Sequence, residues 1–324
     1  MWKRFRTPLV LLPLAVVIFF AGLIIGYFIP YPSPFSTSAL YAGANIYSHV
    51  NPLLSCGDIT NVSEGKIKTA KENANQFIEE QKKKGLVEDV SVYFRDLDNG
   101  GWFLLDNDLT FSPGSLLKVP VMMSAYKMEE RKPHFLSEQV LFATSSKSNL
   151  VQLVSPQNPL EVGKSYTVKE LIQRMIRGSD NGATTLVYQT LGEETVNATF
   201  DDLGLPHPSL TGDYSITIKD YSRFFRILYN ATYLSPEKSE EALRVLTESE
   251  FNKGLVAGVP EGIEIAHKFG ERELARTNQL HDCGIIYAEK HPYILCIMTR
   301  GQDTDSLAEA IAGISRIVYR DIHD

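Results

Sequence analysis

Cysteine and basic charge are scarce in this 324-residue sequence. It has three cysteines, none in C-x-x-C spacing, and its seven histidines are scattered along the chain. This excludes a disulfide-stapled miniprotein and predicts neither a metal site nor a cofactor. The 32 basic residues stand against 39 acidic ones, which gives a formal net charge of −7. A surface with that balance is a poor partner for nucleic acid.

One long segment lacks charge altogether, because no Asp, Glu, Lys or Arg occurs between Arg6 and Asp58. Within it, residues 8–29 read PLVLLPLAVVIFFAGLIIGYFI. As a helix these residues span about 33 Å, which is close to one bilayer core. The basic residues before the run favour a cytoplasmic N-terminus. The sequence predicts a single-pass anchor in residues 1–30 and an extracytoplasmic remainder, with a cleaved signal peptide as the alternative.

The rest of the chain predicts one α+β domain. Residues 31–61 are rich in Pro, Ser, Ala and Gly and predict a linker or an arm that packs on the domain. Residues 62–324 predict an antiparallel sheet flanked by helices, because strands at both ends surround a helical middle. The predicted helices are 64–84, 115–130, 168–177, 220–229, 238–247 and 305–321, and the predicted strands are 87–97, 102–106, 263–269, 283–289 and 293–300.

An odd number of cysteines outside the cell indicates one disulfide and one buried thiol. We expect Cys56 to pair with Cys283, since Cys283 begins a predicted strand that an arm could reach. Cys296 lies within an apolar strand, where a thiol serves as a small apolar side chain. Three free thiols and a Cys283–Cys296 bridge are the alternatives.

Three short motifs could carry chemistry. In Ser115-Leu-Leu-Lys118, helical spacing places the amine one turn from the hydroxyl, and a desolvated lysine can act as its base. The same S-x-x-K pattern occurs elsewhere in the chain, but only Ser115 follows a turn and opens a buried helix. Ser179-Asp180-Asn181 supplies a hydroxyl for proton transfer and an amide for gripping a substrate. In Lys268-Phe-Gly270, a cation and a glycine end a predicted strand.

The order and spacing of these motifs resemble the class A-type serine β-lactamase and penicillin-binding superfamily. That family carries S-x-x-K, S-D-N and K-T-G in this order. The resemblance extends from about residue 65 to the C-terminus. It implies a serine hydrolase fold that works through an acyl-enzyme, without a cofactor.

The resemblance also implies roles for individual residues. Ser115 is the acylated nucleophile, with Lys118 as its base. Ser179 passes a proton to the leaving nitrogen. The remaining implied roles concern the substrate: Asn181 binds its amide, Lys268 attracts its carboxylate beside Gly270, and the backbone amides of Ser115 and Glu271 form the oxyanion hole.

Two departures from the family pattern bear on activity. Phe269 replaces the Thr or Ser of the third motif, whose hydroxyl helps to bind the substrate carboxylate. Residues 203–216 contain no Glu to activate a deacylating water, and Asp213 is the one carboxylate there. The expected function is a β-lactamase-like hydrolase of β-lactams or related cyclic or peptide amides. The alternatives are a D,D-peptidase-like enzyme acting on peptidoglycan-like substrates and a binding module that has lost turnover.

Overall fold

The computed structural model describes residues 47–51, 63–144, 158–208, 214–288 and 291–323. The chain divides into two units, residues 1–46 and 47–324, and all described residues belong to the second. The predicted anchor therefore lies outside the described residues. Within the described ranges, no helix is both long and apolar enough to cross a membrane.

A five-stranded antiparallel sheet forms the centre of the domain, in the order β2-β1-β9-β8-β7. The prediction of an α+β fold with helices flanking an antiparallel sheet is confirmed. The sheet strands are β1 (Asp89–Asp96), β2 (Trp102–Leu105), β7 (Glu264–Glu273), β8 (Asn278–Tyr287) and β9 (Tyr293–Gly301). Short pairs join β3 (Thr110–Phe111) to β6 (Ile216–Thr217) and β4 (Gln139–Leu141) to β5 (Ser165–Thr167).

Eight helices are described. They are α1 (Glu64–Lys83), α2 (Lys118–Arg131), α3 (Val168–Arg177), α4 (Asn181–Leu191), α5 (Glu193–Asp202), α6 (Ile218–Tyr229), α7 (Pro236–Thr247) and α8 (Thr304–His323). The six predicted helices are present, whereas the separate helices α4 and α5 were not predicted. At α3, Thr167 and Glu170 form the capping box that the sequence indicates.

The sheet separates two hydrophobic clusters, because alternate residues of a strand face opposite sides. In β9, Leu295 and Ile297 pack in a cluster with α1 and α8, whereas Cys296 and Met298 pack with the central helices. The same alternation runs along β7 and β8. It places the even-numbered residues of β7 on the side of α2, where the first motif lies.

The predicted Cys56–Cys283 disulfide is wrong. Cys283 is bonded to Cys296, and the two lie directly opposite each other in the β8–β9 register. Adjacent antiparallel strands bring opposite side chains close together. This pairing is one of the two alternatives given above, and it uses Cys296 rather than leaving it as a buried thiol. Cys56 lies outside the described residues.

Five residues before α1 also contact the domain. The backbone amides of Ser48, His49 and Val50 donate to the carboxylate of Glu240. The imidazole of His49 lies between Glu240 and Glu264, with Nδ1 2.7 Å from the first and Nε2 3.2 Å from the second. This short segment is thereby fixed at the N-terminal half of α7.

Candidate active site

Ser115 lies in a tight turn just before α2. The turn is a 3-10 helix over Gly114–Leu117, and Ser115 is half-buried in it. Gly114 has a φ of +52°, and a side chain there would come 2.3 Å from the carbonyl oxygen of Glu271. Only glycine fits both the left-handed backbone and this close approach. The nucleophile turn, residues 112–117, is therefore pressed against β7.

Side chains from the sheet and from α6 hold the nucleophile turn. Gln279 accepts a hydrogen bond from the amide of Ser112 at 3.0 Å, and Nε2 of His281 lies 3.0 Å from the Ser112 carbonyl. Nδ1 of His281 accepts from the amide of Thr299, so Nε2 carries the proton and donates to Ser112. Burial lowers the pKa of His281 to about 4, which keeps the ring neutral. The Tyr221 hydroxyl donates to the carbonyl of Leu116 at 2.9 Å.

Lys118 is the centre of the hydrogen-bond network. Its side chain is 3% exposed. Nζ lies 2.5 Å from the Ser179 carbonyl oxygen, 2.9 Å from Ser179 Oγ and 2.8 Å from Asn181 Oδ1. Desolvation lowers its pKa to about 7, against the opposing pull of Asp180 and Glu271. The amine is therefore partly neutral near pH 7.

All three partner atoms of Lys118 accept a hydrogen bond from its amine. The carbonyl oxygen of Ser179 and the amide oxygen of Asn181 only accept hydrogen bonds, whereas the Ser179 hydroxyl can also donate one. Nζ donates to the hydroxyl oxygen of Ser179 at 2.9 Å, and this hydrogen bond makes a path for a proton from Lys118 to Ser179.

The second motif joins α3 to α4. Ser179 is fully buried and has a φ of +54°, a left-handed conformation that costs a non-glycine residue roughly 1–2 kcal/mol. Asp180 is the N-cap of α4, and its carboxylate accepts from the amide of Ala183 at 3.0 Å. Asn181 then starts the helix. Strain of this kind is retained where the surrounding structure fixes a residue, and here it aims the hydroxyl at Lys118.

The third motif is part of β7, which continues beyond the predicted end of the strand. Gly270 faces the nucleophile turn, and a side chain there would meet the Pro113 carbonyl oxygen at 2.5 Å. Lys268 is fully buried, with Nζ 3.0 Å from the Phe269 carbonyl oxygen and 3.8 Å from the Phe269 ring centroid. Burial and the nearby charge of Lys118 hold the pKa of Lys268 well below its usual range.

Phe269 packs in the core. Its side chain is 1% exposed, and its ring stacks on Phe251 with the centroids 4.4 Å apart. Where the family has a Thr or Ser hydroxyl in the third motif, this protein has a ring that packs in the core on the side of α1 and α8. The ring therefore lies on the opposite face of the sheet from the nucleophile turn.

Glu271 connects the third motif to the first. Its backbone lies against Gly114, next to the residue predicted as nucleophile. Its carboxylate raises the pKa of Lys118 and of Lys268, which opposes the effect of their burial. The oxyanion hole predicted from the amides of Ser115 and Glu271 stays a prediction, and the structure places these two segments side by side.

The structure thus gathers the residues of all three motifs around Lys118 and the nucleophile turn. Asp213 lies outside the described residues, so its tentative role in deacylation stays a prediction. The described residues contain no cluster of three or more potential metal ligands. Gln279 and His281 were missed by sequence reasoning, because neither belongs to a motif and the polar start of β8 gave no strand pattern.

A family model described as "Beta-lactamase enzyme family" matches residues 70–322. The chain belongs to this β-lactamase family. The match covers all three motifs and ends within α8. A search of curated protein sequences finds no match.

Solved structures of β-lactamases and a penicillin-binding protein share the fold. The structure of PBP-A is 22% identical with a TM-score of 0.65, and the alignment covers 85% of this chain and 98% of that one. A class A β-lactamase from Mycobacterium abscessus is 20% identical with a TM-score of 0.66, covering 78% and 98%. A β-lactamase from Sphaerobacter thermophilus DSM 20745 is 20% identical with a TM-score of 0.65, covering 78% and 96%.

Proposed function

We propose that this protein is a membrane-anchored serine acyl-transfer enzyme that forms an acyl-enzyme on Ser115 with β-lactams or related cyclic or peptide amides. The hydrogen-bond network of Lys118 is the observation that carries this proposal. A buried lysine with a pKa of about 7 has no evident structural use, since a buried cation is costly. It suits a general base that works near neutral pH.

The chemistry can be written from the residues in place. Lys118, as a neutral amine, takes the proton of Ser115 while Oγ attacks the carbonyl carbon of the substrate. The oxyanion develops between the amides of Ser115 and Glu271. When the C–N bond breaks, the Ser179 hydroxyl gives its proton to the leaving nitrogen and receives another from Lys118. The product is an ester of Ser115 together with an amine, which stays attached to the acyl group when a β-lactam ring opens and leaves as a separate molecule when the substrate is an acyclic amide.

Deacylation is the slow step in this proposal. Residues 203–216 hold no Glu, and Asp213 has a shorter side chain and a low ordinary pKa of about 3.9. An acyl-enzyme should therefore accumulate. The missing Glu equally favours the second candidate, a D,D-peptidase-like enzyme, and one solved fold relative, a PBP-A mutant, was captured as an acyl-enzyme with penicillin G. The hydroxyl that is missing at Phe269 favours the third candidate, a binding module without turnover, and the labelling experiment below separates it from the two enzymes.

A fluorescent penicillin tests the proposal directly. We expect the purified protein to become labelled and Ser115→Ala to abolish the label. Lys118→Ala should slow labelling by about 10²–10⁴-fold, the usual contribution of a general base. Ser63→Ala is the matched control, because Ser63-x-x-Lys66 has the same spacing at the exposed start of α1.

Turnover of a chromogenic cephalosporin then separates the candidates. We expect a burst followed by slow turnover, with Asp213→Asn prolonging the acyl-enzyme if Asp213 activates the water. Fast turnover in both the wild-type protein and the Asp213→Asn variant would contradict the proposal that deacylation is the slow step. A folded wild-type protein that takes no label at all would contradict the enzyme proposal.

A further inference from the structure

A carboxylate is buried behind the third motif, on the face of the sheet opposite the nucleophile turn. Asp282 of β8 is the register partner of Phe269, and side chains directly opposite in an antiparallel pair share a face. Its side chain is fully buried on the side of the hydrophobic cluster of α1 and α8. A buried charge is costly unless partners compensate it. The partners of Asp282 therefore decide what it can do.

Both carboxylate oxygens of Asp282 have a partner. Oδ1 lies 2.8 Å from Nδ1 of His267, which carries the proton because a carboxylate only accepts, and Oδ2 accepts from the amide of Leu255 at 2.9 Å. The residue opposite His267 is Gly284, where a Cβ would come 2.5 Å from the His267 Cβ. The absence of a side chain at Gly284 leaves room for the imidazole to reach Asp282. The carboxylate thereby connects β7, β8 and the segment at Leu255.

The charge of Asp282 also acts on the other face of β7. Lys268 follows His267 directly, and strand alternation turns its side chain toward the candidate site. Burial and the charge of Lys118 lower the pKa of Lys268, and the carboxylates of Asp282 and Glu271 oppose this effect. The family resemblance assigns the substrate carboxylate to Lys268, and an ammonium attracts a carboxylate far more strongly than a neutral amine does.

We propose that Asp282 is a positioning residue of the third motif, which fixes the part of β7 that carries Lys268 and supports the ammonium form of Lys268 that attracts a substrate carboxylate. This inference rests on the proposed acyl-enzyme function and adds a residue behind the sheet that affects which substrates are acylated. The hydrogen bonds from His267 and Leu255 matter because the interaction of two charges depends on their distance.

Benzylpenicillin and its methyl ester are suitable probes, because the ester lacks only the negative charge of the ring carboxylate. The measurement is the second-order rate of Ser115 acylation by each compound. Asp282→Asn removes the charge at nearly constant size, and the amide can still accept from Leu255 and donate to a neutral His267. We expect the ratio of the acid rate to the ester rate to fall about three- to tenfold, since a nearby opposite charge changes the protonation of a buried group by at least this factor.

Ser315→Ala is the matched control. The Ser315 hydroxyl is buried and donates to the carbonyl of Leu255 at 2.9 Å, so its loss removes a buried hydrogen bond from the same segment without changing a charge. We expect an unchanged ratio in this variant. An unchanged ratio in Asp282→Asn would overturn the proposal, as would an equal fall in Ser315→Ala. Equal slowing with both compounds in Asp282→Asn would also overturn it, since that result indicates a structural role alone.

A measurement on the wild-type protein covers the case in which Asp282→Asn does not fold. Carboxyl ¹³C NMR at pH 7 should show an ionised Asp282, and a protonated carboxyl would overturn the proposal without any variant. Failure of both compounds to acylate the wild-type protein would refute the proposed function and this inference with it, whereas the other outcomes refute the inference alone.

Discussion

At the scale of the residue, the site depends on burying a lysine where its charge is costly. Lys118 has nearly no exposed surface, and its three hydrogen-bond partners come from the second motif. Because burial disfavours the ammonium, the pKa falls from 10.5 to about 7. The left-handed backbone of Ser179 also costs free energy, and it holds the Ser179 hydroxyl where the Lys118 amine can exchange a proton with it.

The pH dependence of acylation tests this assignment. A general base must be neutral to accept the proton of Ser115, and Lys118 is protonated below its pKa and neutral above it. We therefore expect the acylation rate to rise with pH through about 7 and to level off above it. The measurement is the rate of fluorescent penicillin labelling from pH 5 to 9.

Two variants make this pH profile specific. Lys118→Arg should lose labelling at every pH in that range, because an arginine stays charged. Lys127→Arg is the control, since Lys127 belongs to another S-x-x-K sequence and bonds to Glu130 and the Tyr233 carbonyl. A wild-type rate that does not change between pH 5 and 9 would exclude Lys118 as the titrating base.

At the scale of the element, the decisive contact is between β7 and the nucleophile turn. Two glycines make it possible, Gly114 on the turn and Gly270 on the strand. In the neighbouring strand β8, the side chains of Gln279 and His281 form hydrogen bonds with the Ser112 backbone. The turn is thereby fixed by two adjacent strands, which places Ser115 at the edge of the sheet.

A methyl group at Gly270 should separate these elements. Its Cβ would lie 2.5 Å from the Pro113 carbonyl and 2.7 Å from a side-chain carbon of Leu116, so the turn must shift. We expect Gly270→Ala to lower the free energy of unfolding by about 1–3 kcal/mol, the usual cost of overpacking, and to slow acylation by at least tenfold. Chemical denaturation and penicillin labelling measure the two effects.

Gly65→Ala is the control for this substitution. Gly65 lies in the first turn of α1, where the nearest atom to an added Cβ is the Ser63 hydroxyl oxygen at 3.7 Å. That variant should leave labelling unchanged and the stability equal or slightly higher, since alanine favours a helix. Full labelling of Gly270→Ala would show that the contact with β7 does not position Ser115.

At the scale of the whole molecule, the candidate active site lies on one face of the sheet, and the opposite face is covered by a hydrophobic cluster. The helices α1 and α8, at the two ends of the described domain, pack on one face with Phe269 and Phe251. The central helices, which carry the first two motifs, pack on the other. Residues 47–51 bond to α7 through Glu240, so the described chain enters the domain on a fixed path.

The proposed anchor makes a prediction about the whole chain. The uncharged segment after Arg6 and the basic residues before it predict one membrane pass with the domain outside. Protease added to intact cells should remove the domain and leave a short protected N-terminal fragment, while a cytoplasmic marker protein stays intact. Recovery of the full-length chain in the cytosolic fraction would refute the anchor. Recovery of a soluble domain outside the cell, lacking residues 1–30, would support the signal-peptide alternative.

The sequence by itself determined the class of fold and most of the chemistry. Alternation and helical periodicity are local, so they indicated the hairpin of β1 and β2 and the amphipathic helices at both ends. Motif order is also a property of the sequence, and it identified Ser115, Lys118 and Ser179 as candidates. The capping box of Thr167 and Glu170 could also be predicted from the sequence, because these two residues are three positions apart.

Only the tertiary structure decided which distant groups meet. Gln279, His281 and Asp282 are polar, so the first half of β8 gave no strand pattern, yet each is buried against a specific partner. The disulfide partner of Cys283 followed from the β8–β9 register, and a register depends on the whole sheet. The complete burial of the Lys268 side chain could not be read from the sequence either. The burial of a residue depends on contacts between segments far apart in the sequence, and local sequence patterns do not predict those contacts.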